Sequence, residues 1–227
     1  MTDALALIRL LQLASPALPV GAYSYSQGLE WQVEQSTVRD EASAQEWIGD
    51  LLDLVMATGE AAVLAQLHDA VFNGDHERFA DWNAWFVASR ESSELRSETE
   101  QMGMSLLRIL RDLDMLTAAD HSWVEAAPSI GYPAAFALAT NRSGIDQRNA
   151  VTAYLYAWLE NQVLAAVKLV PLGQAAGQRL LYTLGSRIPR VVEQALDLAP
   201  EAITSFAPGL AIASSRHETQ HTRLFRS

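Results

Sequence analysis

The sequence predicts an all-α protein, a single-domain bundle of roughly ten helices that pairs as a homodimer. Three observations predict the fold class. Apolar residues recur at helical spacing through nearly every segment, and no stretch sustains the alternation of a strand. Proline-bearing breaks, as at Pro16 and Pro19 and at 128–133, separate these segments. At 227 residues the chain suits one large helical domain, since about 150 residues per domain is only a soft guide.

The first helix carries Leu5, Ile8 and Leu11 and stops at Pro16 and Pro19, because proline removes a donor and restrains the residue before it. Residues 13–30 then form irregular chain rich in apolar and aromatic residues, with Gly21 and Gly28 free to take backbone angles closed to other residues. Two readings of this loop stand side by side: a buried connection between helices, or a binding loop held by a scaffold. From Ala42 to about Asn73 the pattern gives one or two helices with Trp47, Leu51, Leu54, Val55, Val63, Leu64, Leu67 and Val71 inward and a break near Gly59. Asn73-Gly-Asp75 is a turn, after which Phe79, Trp82, Trp85 and Phe86 make a core stripe.

The segment from Ser92 to Leu116 is charged in its first half; Met102, Leu106, Leu107, Ile109, Leu110 and Leu113 make its second half amphipathic. After a break at 128–133, a short apolar helix runs to about Thr140. Asp146 caps a helix that reaches Val170 and is apolar on most of its circumference. Pro171 suits the first turn of the next helix, where Gly173 and Gly177 would admit a close neighbour. Two more helices follow, at about Ile188–Leu198 and Pro208–Arg216.

Sixteen basic against 27 acidic side chains give a net charge of −11 and an isoelectric point near 4.8, a field that repels phosphate backbones and excludes nucleic acid as the main partner. The absence of cysteine removes disulfides, thiolate metal sites and thiol nucleophiles, and suits a reducing cytoplasm. Asp3 stands where a signal peptide needs positive charge, and Arg9 interrupts the apolar run. The longest apolar run is broken by Lys168 and Pro171, short of the ~18 residues a membrane span needs.

Three constellations could carry chemistry. His217-Glu-Thr-Gln-His221 has the form of a zinc hydrolase motif, in which His217 and His221 would bind the metal from one helix face and Glu218 would activate water. Only six residues follow it, none of them His, Asp, Glu or Cys, so a third ligand would have to come from earlier in the chain. Glu91, Glu94 and Glu98 share a helical face, with Arg90 positioned to pair with Glu94 and Arg96 with Glu100, which reads as a solvated, salt-bridged surface or as a cation or partner site. Lys168, the single lysine, complements a helix carboxyl end or reaches a partner surface. No P-loop sequence is present, so the chain is not expected to hydrolyse a nucleotide itself.

The segments 10–30, 90–103, 158–163 and 168–174, with the endings 216–218 and 223–227, together resemble the UreF family of urease accessory proteins along the whole chain. The resemblance implies a non-enzymatic, cytoplasmic, all-α maturation factor with no cofactor of its own. Such proteins form homodimers, bind a UreD or UreH partner, recruit the GTPase UreG, modulate it, and help deliver nickel to apo-urease. On the matched segments, Tyr23, Ser24, Glu30 and Lys168 are the residues expected to face UreG. Arg216, Arg223, Leu224, Phe225 and Arg226, within a tail at about 208–227, are expected to face UreD and to order on binding it. Tyr156, Gly173 and Gly177 are expected at the dimer interface, and Arg226 is expected to fold back onto the loop at 19–26.

Overall fold

A computed structural model describes residues 4–227, whose regular structure is helical with no strand among them. Twelve α-helices follow in order among the described residues: α1 (Ala4–Leu13), α2 (Leu29–Glu34), α3 (Glu41–Leu51), α4 (Ala61–Asn73), α5 (His76–Ala88), α6 (Ser93–Asp112), α7 (Ala118–Ala126), α8 (Tyr132–Arg142), α9 (Gln147–Leu169), α10 (Gln174–Gly185), α11 (Ile188–Asp197) and α12 (Pro208–His217). Asp3, which breaks the signal-peptide pattern, lies outside the described residues.

Local chemistry starts most of these helices where the sequence places a capping side chain. Asp40 and Ser43 form a reciprocal box ahead of α3, and Thr117 and Asp120 do the same for α7. Asp75, Ser92 and Asp146 each accept an amide from the first turn of α5, α6 and α9.

Burial then selects the centre. Every residue of α8 from Pro133 to Thr140 is buried, and the four alanines among them let α8 lie close against α4 and α6. Long α9 packs on α4, α10 and α11, with Leu155 and Leu159 fully buried. One apolar cluster runs from Ala6 to Phe225.

The stretch expected to break at Gly59 does not break. Residues Leu52–Glu60 wind as a π-helix, so the chain is continuously helical from Glu41 to Asn73. The wider turn leaves a carbonyl free for an outside donor. The Thr204 amide donates to the Thr58 carbonyl over 3.0 Å, and Gly59 is needed there because a Cβ would lie 2.8 Å from the Thr204 carbonyl oxygen. The altered winding also turns Leu54, expected inward, out to solvent.

Two other apolar residues expected inward lie outside. Trp85 is flanked by the exposed Ala84 and Ala88 on the outer face of α5, and Leu113 caps the frayed end of α6. Pro171 stands in the tight link between α9 and α10 rather than in the first turn of α10, which is capped by Gly173.

Candidate functional site: a docked tail

The irregular segment after α1 is shaped by two left-handed glycines, Gly21 (φ 83°) and Gly28 (φ 78°). Between them a single 3-10 turn, Ala22–Ser24, presents Tyr23 with 65% of its surface exposed. Gly28 also admits α12, since a Cβ there would sit 2.9 Å from the Ala213 Cβ.

Residues 218–227 lie along this segment and along the first half of α6. The Arg226 amide donates to the Ser24 carbonyl over 2.8 Å, and the Ser26 amide donates to the Ser227 main-chain oxygen over 2.8 Å, with the Ser26 hydroxyl adding a second bond of 2.6 Å. Arg226 therefore does fold onto the loop, through its backbone amide. Its guanidinium instead engages the Tyr25 hydroxyl, where it opposes the burial and the nearby Glu98 charge that raise that phenol.

Glu30 and His217 form the centre of the dock. One Glu30 carboxylate oxygen accepts the Leu224 amide (2.6 Å), and the other accepts the Phe225 amide (2.9 Å) and His217 Nε2 (3.1 Å). His217 Nδ1 lies 2.7 Å from a Glu94 oxygen, and the other Glu94 oxygen accepts Arg223 at 2.6 Å. Each ring nitrogen of His217 therefore faces a carboxylate oxygen, one from α2 and one from α6. The imidazole is wholly buried.

Glu98, one turn further along α6, accepts Gln27 (2.8 Å) and the Ser227 hydroxyl (2.7 Å). Burial pushes its carboxyl up to about 7, the Ser227 and Gln27 donors oppose that shift, and the charge of Glu60 adds to it. Glu218 accepts the Ser93 amide, the Ser93 hydroxyl and the Glu94 amide at the amino end of α6, and the Ser93 bonds hold its carboxyl below the usual range.

Behind the dock lies an enclosed cavity of about 60 Å³, lined in part by Glu60, Arg90, Glu98, Tyr132, Trp158 and Asn161. Arg90 pairs with Glu60 at 3.2 Å while its Nε has no partner, and the Tyr154 hydroxyl donates to Glu60. The cavity has room for ordered water beside these polar groups, although most of its wall is apolar.

The charged stretch at the start of α6 is thus only partly solvated, with Glu91 and Arg96 exposed, and is not internally paired among the described residues. Among the described residues no ion pair joins Arg90 to Glu94 or Arg96 to Glu100; Arg90 turns inward to Glu60, and Glu94 and Glu98 are consumed by the tail. The zinc motif is not assembled either. Helix α12 ends at His217, so His221 is not on the same face; both nitrogens of His217 and the carboxylate of Glu218 are already engaged.

The residues singled out from sequence divide into two groups. Tyr23, Ser24, Glu30, Arg223, Phe225 and Arg226 are brought together, with Lys168 beside them, its ammonium 5.5 Å from the centre of the Phe225 ring. Glu30 and Phe225, expected as surface contacts, are buried because the tail folds against its own chain; Leu224, Arg216 and Arg226 remain exposed. Tyr156, Gly173 and Gly177 lie elsewhere. Gly177 faces Val167 of α9 within the chain, while Gly173 has open space around it and Tyr156 is partly exposed. Sequence reasoning missed the roles of His217, Glu98 and Glu218. The only signal was a His-Glu pair recurring at the end of the matched pattern.

The UreF family model matches residues 38–185. Urease accessory protein UreF of Azoarcus sp. (strain BH72) is 57% identical over 98% of this chain and 96% of its own length. The protein of that name from Dechloromonas aromatica (strain RCB) is 53% identical, and that from Methylobacillus flagellatus is 47% identical, each over the full length of both chains. These relatives are named as accessory proteins rather than as enzymes, which agrees with a site whose titratable groups are spent on holding a tail. The chain belongs to the UreF family of urease accessory proteins.

Proposed function

We propose that this protein acts in the cytoplasm as a single-domain, homodimeric urease maturation factor that bridges a UreD- or UreH-like partner and a UreG-like GTPase, modulates that GTPase, and assists nickel delivery to apo-urease. The observation that carries the reading is the bonded contact between residues 24–26 and residues 226–227. A tail that engages one partner is there in position to set the shape of the loop that offers Tyr23 to another. Tyr23, Ser24 and the neighbouring Lys168 form the UreG side. Leu224, Arg216 and Arg226 supply an exposed apolar anchor and two cations for the UreD side.

Nickel is cargo in this reading, not a resident cofactor. No described helix is long and apolar enough to cross a membrane. The test is co-purification with tagged UreD- and UreG-like proteins, together with urease activity in a host lacking its own copy of this protein. Association with both and restored activity support the bridge; association with neither removes it.

A further inference from the structure

Helix α5 buries only Phe79, Asn83 and Phe86, and its opposite side is exposed among the described residues. Along that side Glu77, Asp81, Trp85 and Ala88 are exposed at helical spacing, and half-buried Trp82 stands beside Trp85 with the ring centres 5.7 Å apart, edge to face. The two indoles and the acidic residues Asp75, Glu77 and Asp81 border an open concavity of about 470 Å³.

Its charge is one-sided. Arg78, the lone cation on the rim, is spent on Asp69 (2.7 Å) and Gln66 (2.5 Å). Asp75 caps the helix and Glu77 suits its first turn, but Asp81 lies a full turn beyond the reach of the helix dipole and has no ion pair or hydrogen bond among the described residues. Trp85 is exposed while Trp82 is half-buried and packs against the core, and tryptophan is among the residues most enriched at the energetic centres of interfaces.

We infer that this face of α5 is a docking surface for a basic segment of a protein partner, which inserts an arginine or lysine against the Trp82 and Trp85 rings with Asp81 and Glu77 as its counter-charges. Aromatic faces attract a cation through the ring quadrupole, and adjacent carboxylates add direct Coulomb attraction. The surface is far in sequence from the docked tail, and the inference does not rest on the bridging role proposed above.

The test titrates the full-length protein with a short peptide of alternating arginine and alanine while following the indole N–H resonances of Trp82 and Trp85. Matched glutamate–alanine and serine–alanine peptides serve as controls. Saturable movement of both indoles with the arginine peptide alone is expected, with affinity weakened about fivefold in Trp85→Ala and again in Asp81→Asn. Glu46→Gln, an exposed acid on α3, should leave it unchanged. Equal weakening by Glu46→Gln would mean diffuse attraction to an acidic protein and would overturn the assignment. So would an unchanged affinity in Trp85→Ala with intact circular dichroism, or equal binding of the serine peptide.

Discussion

The Ser26 amide and the Ser227 main-chain oxygen are hydrogen-bonded although they stand 201 positions apart, so the last residues of the chain close the loop that follows the first helix. That contact is held by buried charge rather than by apolar area. Glu30, Glu94 and Glu98 accept hydrogen bonds from residues 223–227, and His217 sits between Glu30 and Glu94. A dock built from ionisable groups has strong consequences for substitution.

His217→Leu should destabilise the protein by about 1 to 3 kcal/mol, because it removes the buried side chain shared by Glu30 and Glu94 and leaves each carboxylate with one partner fewer. Urea unfolding measures the loss. Amide exchange should also rise at Leu224 and Phe225, whose partner Glu30 would no longer be held. A loss under about 1 kcal/mol with unchanged exchange would show that the imidazole is not the keystone.

Glu98 makes stability depend on pH with a definite sign. Its carboxyl titrates near 7 in the folded chain against an ordinary value of 4.5, so between these values the folded state holds a proton that the unfolded state has lost. The unfavourable contribution is absent below the unfolded value, grows as pH rises from 4.5 to about 7, and is complete above that. Glu98→Gln should therefore gain about 3 kcal/mol relative to wild type between about pH 5 and about pH 8. Parallel stability curves for the two proteins would contradict the burial argument.

Gly103→Ala should cost about 1 to 3 kcal/mol or more, because the new Cβ would lie 2.2 Å from the Ile130 carbonyl oxygen, where α6 crosses the chain entering α8. Gly173→Ala has open space and should be close to neutral. Thermal unfolding of the pair separates a packing requirement from a general intolerance of alanine.

Light scattering tests the proposed homodimer. The wild type should be dimeric and Tyr156→Asp monomeric, since the partly exposed Tyr156 would place a charge in the interface. A wild type that is monomeric without partners would remove the dimer from the account.

Most helices were legible because capping side chains and helical spacing act locally: Asp40, Asp75, Ser92 and Asp146 each start a helix where the sequence places them, whereas the short α2 and α7 were not foreseen. The π-helix was not legible. Its winding depends on a distant donor, Thr204, and Gly59 therefore reads as a break when it is a point of close contact. The dock failed for a related reason. Of the run Glu91, Glu94 and Glu98, which looks like a solvated face, Glu91 is exposed while the tail covers the other two, and nothing local to α6 announces that His217, Arg223 and Ser227 will arrive. Phe225 and Glu30 were found as members of a matched pattern, but their burial depended on each other.

The most direct test of the central claim, that tail and loop act as one surface, is Arg226→Ala measured against both proposed partners. The substitution keeps the amide that bonds to Ser24 and removes the guanidinium that engages the Tyr25 hydroxyl, so the tail should stay docked while the loop loses one restraint. Co-purification should show UreD-like association largely retained, with UreG-like recruitment and urease activation reduced. Recruitment of the UreG-like protein at the wild-type level would contradict the coupling of tail and loop.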